Sequence, residues 1–172
     1  PPGTSPVLQD GAEVLTESSI LIEHLDLAYP EAGRLIPPNP AEALDVRFMD
    51  RVFDNHVMAH MQAIVAEHLP FITEKPDPMR IDRAKGALST IYRWLDERLL
   101  ETGWACGTDF TLADCAGAPA LFYADWVHPI PDDCGRVKAY RARALARPSV
   151  ARCVDGARPY RHYFPLGAPD RD

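Results

Sequence analysis

The 172 residues are 47% apolar and 25% charged, a composition that excludes a disordered polyanion and a disulfide miniprotein and fits one or two globular domains. The net charge of −7 lacks the Lys/Arg excess that grips phosphate backbones nonspecifically, so no nucleic-acid partner is expected. No run approaches the ~18–20 uninterrupted apolar residues of a membrane span, and the Pro1-Pro2-Gly3-Thr4 opening is unlike a signal peptide, so no membrane partner is expected and the default reading is a soluble, cytoplasmic protein.

Val7-Leu8, Asp10-Gly11 and Val14-Leu15 predict two short strands in a tight hairpin, because Asp-Gly supplies the positive φ of a type I′ turn. Such a hairpin does not stand alone. Thr16 is the expected N-cap of a helix with Glu17 in its positive first turn and Ile20, Leu21, Leu25 and Ala28 on one face. That helix should end before Pro30, and the proline-rich stretch from Pro30 to Pro40 is the best domain boundary.

Asn39-Pro40-Ala41-Glu42 restarts a helix with an Asn cap and a proline at its first position, running to about Leu69. Its expected polar stripe is Arg47, Asp50, Arg51 and Asp54, and its expected apolar side is Leu44, Phe48, Val52, Ala59 and Ala63. Asp77-Pro78 opens the next helix, on which Ile81, Ala84, Leu88, Ile91, Leu95 and Leu99 recur every three or four residues, with Gly103 as the expected stop. Thr111 to Val127 is apolar around its circumference and is expected to be the central, buried helix, kinked or left with an unpaired carbonyl by Pro119. Arg136 to Ala146 and Ser149 to Ala157 give two shorter helices, and Tyr160 to Asp172 an extended tail.

Residues 1–86 hold 7 basic and 14 acidic residues, and residues 87–172 hold 11 of each. From Arg136 to Arg161 eight basic residues face Asp155 alone in sequence; a solvated helix face explains them, and an anion-binding or partner surface is the alternative. Cys106, Cys115, Cys134 and Cys153 form no metal or disulfide pattern, which fits reduced thiols. His56 and His60 share a helical face but lack the Glu of a metalloprotease motif, so ordinary surface or core histidines are expected and no metal is assigned.

Thr111-Leu112-Ala113-Asp114 is a capping box, and Phe110 is placed to staple onto Cys115. With the preceding run Trp104-Ala105-Cys106-Gly107-Thr108-Asp109, this segment resembles the start of the buried helix in cytosolic glutathione transferases of bacterial type. Ser5-Pro6-Val7-Leu8, Asp10-Gly11 and Leu15-Thr16-Glu17-Ser18-Ser19-Ile20 resemble the end of that family's thioredoxin-like domain, in the right order around the proline linker. The resemblance implies a mainly α chain. A partial thioredoxin-like α/β domain, hairpin plus helix, would occupy residues 1–30, a linker 31–39, and an all-helical C-terminal domain 40–172.

The same resemblance implies glutathione as cosubstrate and no metal. Pro6 would be the cis proline and Val7 would offer its backbone to the cysteinyl part, as an added strand does. Glu17 would pair with the γ-glutamyl ammonium, while Ser18 and the helix-start N–H groups hold the carboxylate; as bare residues, both also read as ordinary first-turn residues. A small, partly apolar electrophile would lie between the domains. Arg51, Asn55 and Met58, at i, i+4 and i+7, are the expected pocket side, and an interdomain or dimer-facing stripe is the alternative. The group that activates the thiol is expected upstream of Pro1, in a segment missing from a longer, homodimeric enzyme. The chain alone is expected to bind glutathione weakly or not at all and not to conjugate it. A noncatalytic docking or dimerisation module of the same fold is the competing hypothesis.

Overall fold

Residues 6–171 are described by a computed structural model, so the Pro1 to Ser5 opening and the Ser5–Pro6 bond expected to be cis lie outside the described residues. Strands β1 (Val7–Asp10) and β2 (Glu13–Thr16) pair antiparallel, with Val7 opposite Thr16 and Asp10 opposite Glu13. The two turn residues are Gly11 and Ala12, and of these only Gly11 has a positive φ, 60°. The turn is therefore not the type I′ turn expected from Asp10-Gly11, because glycine holds its first central position and not its second.

Helix α1 (Ser18–Ala28) starts one residue later than Thr16 suggests: Glu17, at φ 71°, is the boundary residue and no side chain caps the helix. Leu21 is buried, whereas Ile20, Leu25 and Ala28 of the expected face are exposed. Tyr29 ends the helix before Pro30, as expected.

Helix α2 (Pro40–Val52) is capped by Asn39, whose Oδ1 accepts from the Ala41 and Glu42 amides at 2.9 and 3.4 Å. The single long helix expected next is broken into α2, a π turn (Phe53–Met58) and α3 (Ala59–Ala66). The extra residue of a π turn rotates the succeeding helix about its axis. The buried line runs Ala43, Val46, Met49, Asp50, Phe53, Val57, Met61, Ile64, while Leu44, Phe48, Ala59 and Ala63 of the expected apolar side are exposed. Asp50, expected on the polar stripe, is buried.

Helix α4 (Pro78–Arg98) has the expected Asp77 cap, with Ala84, Leu88, Tyr92 and Leu95 buried. It stops at Leu99, whose ψ of 140° is extended, and Gly103, at φ 89°, belongs to the loop beyond and not to the helix end. Helix α5 (Leu112–Val127) is the expected centre, packed against α2, the π turn, α3 and helix α6 (Gly135–Ala146). Pro119 lies on its exposed side and leaves the helix continuous; a proline there has no N–H to give the Cys115 carbonyl.

Helix α7 (Pro148–Ala157) passes into a 3-10 turn (Arg158–Tyr163). The tail is not simply extended, because Phe164 packs on the rings of Tyr123 and Trp126 and Arg171 donates to the Asp125 carbonyl at 3.0 Å. Several arginines of the basic stretch tie elements together. Arg143 donates to the Gly103 and Glu101 carbonyls at 2.9 and 3.0 Å, and Arg147 sits 3.9 Å above the Phe110 ring. Among the described residues no helix is long and apolar enough to cross a membrane.

Candidate functional site

The hairpin sets the first edge of the site. A two-residue turn makes Asp10↔Glu13 a hydrogen-bonded pair, so with strict alternation Val7↔Thr16 is a non-hydrogen-bonded one and the Val7 N–H and C=O point away from β2. Those two groups are oriented to pair with something other than the hairpin. Immediately after β2, Glu17 is the one non-glycine residue of positive φ among the described residues. Holding a side-chain-bearing residue there costs about 1–2 kcal/mol, and such outliers concentrate at ligand sites. Glu17 and Ser18 are both exposed at the start of α1.

Beside them, α1 meets α2 and the π turn through a polar cluster. Ser19 donates to both Asp50 carboxylate oxygens at 3.3 and 3.1 Å. Arg51 Nη2 lies 2.6 Å from Asp50, 2.8 Å from Asp54 and 2.7 Å from Ser19 Oγ. Burial holds the Asp54 carboxyl above the usual range, with the Asp50 charge adding to the effect and Arg51 opposing it.

The cluster closes one end of a cleft of about 530 Å³ between α1, the π turn and α5. Ser18, Ser19, Asp50, Asp54, Asn55 and Met58 line one side, and Cys115 and Pro119 the other. Of the residues expected from sequence, Ser18, Asn55 and Met58 are brought together here; Arg51 lies at the rim, its guanidinium tied down by two carboxylates. Pro6 and Val7 are exposed and line none of the cleft described. Asp50 and Asp54 escape sequence reading because an i, i+4 acid pair reads as a solvated stripe, and only the distant Ser19 reveals its role.

The one thiol among the described residues lining the cleft, Cys115, is not an activated nucleophile. Burial, reinforced by Asp114, pushes the Cys115 thiol up to about 11, so it is protonated near neutral pH. Among the described residues no group of three or more His, Cys, Asp or Glu is placed to hold a metal ion. His56 and His60 line a different groove, with Phe48 and Trp94.

The wall of the cleft depends on the start of α5. Asp114, fully buried, accepts from the Thr111 amide at 2.8 Å, the Thr111 hydroxyl at 3.0 Å, the Ala105 amide at 2.8 Å and the Tyr140 hydroxyl at 2.7 Å. The capping box is thus present. Phe110 packs edge-on to Trp104 and faces, with Cys115, a common cavity.

Residues 78–143 match the C-terminal domain model of glutathione S-transferases, and residues 1–33 match the N-terminal domain model. Glutathione S-transferase 3 of Zea mays is 28% identical over 162 residues, covering 90% of this chain and 72% of the relative. The apo structure of glutathione S-transferase III is 26% identical with a TM-score of 0.75, covering 97% of this chain and 76% of that one. A Rhodospirillum rubrum glutathione S-transferase structure is also 26% identical, with a TM-score of 0.72 over 86% of this chain and 69% of that one.

Proposed function

Because the chain belongs to the glutathione S-transferase family, with matches to both its N- and C-terminal domains, we propose that it is a glutathione-binding unit of bacterial type. In its full-length form it would conjugate glutathione thiolate to a small, partly apolar electrophile. Residues 1–30 form the glutathione side, 31–39 the linker and 40–172 the electrophile side. Pro6 and Val7 meet the cysteinyl part, Glu17 and Ser18 the γ-glutamyl end, and Asn55 and Met58 face the electrophile with Arg51 at the rim. A cleft whose own thiol is held protonated supports a nucleophile brought by the cosubstrate.

The observation that carries the reading is Glu17, exposed and held in a left-handed conformation at the residue that immediately precedes α1. Glu17→Gly separates ligand binding from stability. Glycine relieves the positive φ, so unfolding in urea is expected to require about 1 kcal/mol more. Glutathione at millimolar concentration should shift the amide resonances of Val7, Glu17 and Ser18 in the parent, and about tenfold less tightly or not at all in the variant. Shifts that persist with unchanged affinity in the variant would sink the γ-glutamyl site.

We also propose a homodimer formed across the α2–α4 face. Leu44 and Phe48 are 68% and 47% exposed, Phe48 meets Trp94 edge-on, and Arg98 lies over both rings at 5.4 and 5.6 Å. Exposed apolar surface of this kind marks an interaction site. In sedimentation velocity the parent should run as a dimer and Phe48→Glu as a monomer; a monomeric parent at hundreds of micromolar would remove this face as the interface.

A further inference from the structure

The wall formed by Cys115 and Pro119 has a second side. There α5, α7 and Phe110 enclose a cavity of about 390 Å³, within the size range of small-molecule sites. Ala118, Phe122, Leu145, Val150 and Val154 make it apolar, and the hydroxyl of Ser149 is already engaged by Arg147. Two thiols face this cavity, Cys115 and Cys153. They differ in kind: Cys115 is half-buried with its thiol pushed up to about 11, whereas Cys153 is exposed.

We infer that this cavity binds small apolar molecules and that Cys153 is its acceptor for soft electrophiles of the alkyl vinyl ketone class, without any participation of glutathione. The apolar walls hold the alkyl chain while Cys153, reachable from solvent, meets the electrophilic end. In the reaction the Cys153 thiol gives its proton to solvent and the thiolate sulfur bonds to the β-carbon of the ketone. The C=C π pair moves to the carbonyl as an enolate, and the α-carbon then takes a proton from water. The net change is addition of S–H across C=C, with no oxidant and no leaving group. Cys106 and Cys134 do not face this cavity, and burial pushes both thiols up.

The 172-residue chain is tested without glutathione, so the outcome is independent of the γ-glutamyl site. Methyl vinyl ketone and 1-nonen-3-one are compared by peptide-mapping mass spectrometry, with N-acetylcysteine as the free-thiol reference. Each methylene taken out of water favours binding about fourfold. The longer ketone is therefore expected to gain at least tenfold in rate at Cys153 over its gain on N-acetylcysteine, with Cys106, Cys115 and Cys134 modified more slowly. Saturated nonan-3-one should slow the reaction at Cys153 with 1-nonen-3-one but not that of N-acetylcysteine. Val150→Trp, which fills the cavity, should abolish the chain-length gain while leaving methyl vinyl ketone reactive. A chain-length ratio equal to that of the free thiol, no protection by nonan-3-one, or earlier modification of a buried cysteine would each overturn the inference; the first two are read on the unmodified chain and do not depend on the variant folding.

Discussion

Asp114→Ala is expected to destabilise the chain by roughly 4 kcal/mol or more, a large share of the stability of a typical domain. The carboxylate is 0% exposed and accepts four hydrogen bonds, from the Thr111 amide and hydroxyl, the Ala105 amide and the Tyr140 hydroxyl. Alanine strands all four donors in the core, and each buried donor without a partner costs about 1–3 kcal/mol. Two of them are backbone amides that cannot turn away. Asp114→Asn keeps the shape and one accepting oxygen, but its amide nitrogen meets either the Ala105 or the Thr111 N–H, donor against donor. It should therefore lose about half as much, and Thr111→Ala about 1 kcal/mol as a simple cap deletion. Urea unfolding followed by far-UV circular dichroism ranks the three. If alanine cost less than about 1.5 kcal/mol, the network would be no more than an ordinary helix cap.

The part of this network within four residues is legible in the sequence, since Thr-x-x-Asp before an apolar helix specifies a capping box by local geometry alone. The Ala105 and Tyr140 partners are not, because nothing local links residue 114 to residues 105 and 140. The same distinction runs through the fold. The Asn39 and Asp77 caps and the stop before Pro30 arise from side chains bonding to their own neighbourhood, and the structure has them where expected. The face of α2 is not legible in this way, because Leu44 and Phe48 are as apolar as Val46 and Met49, and which stripe is buried is decided by the distant partner α5. In the cleft, Asn55 and Met58 owe their position to a π turn that the sequence does not announce. Glu17 reads in sequence as a first-turn residue, and its positive φ is a property of the strand-to-helix junction that no residue type signals.

Gly117→Val should cost about 3 kcal/mol or more, again read by urea unfolding, although valine is a better helix residue than glycine. Gly117 is an ordinary helical position in the middle of α5, so backbone conformation is no obstacle. What forbids a side chain is the neighbour: an added Cβ would lie 2.7 Å from the Tyr140 hydroxyl oxygen and 2.9 and 3.0 Å from the Phe53 ring. Both rings are fully buried and stacked, with planes 7° apart and centroids at 6.0 Å. Neither can swing aside into space. Tyr140 is further pinned because its hydroxyl donates to Asp114 at 2.7 Å, so pushing it away takes a donor from the buried carboxylate. The glycine and the capping box are therefore coupled through one phenol. Gly117→Ala tests that coupling: its helix-propensity gain of about 1 kcal/mol is set against overpacking of about 1–3 kcal/mol, giving a modest net loss. In a Tyr140→Phe background the nearest clashing atom is gone and the Asp114 bond is already lost. The alanine should then cost about 1 kcal/mol less than in the parent, a non-additivity readable in a double-mutant cycle. Additive costs would place the strain on Phe53 and dissolve the link between the helix crossing and the cap.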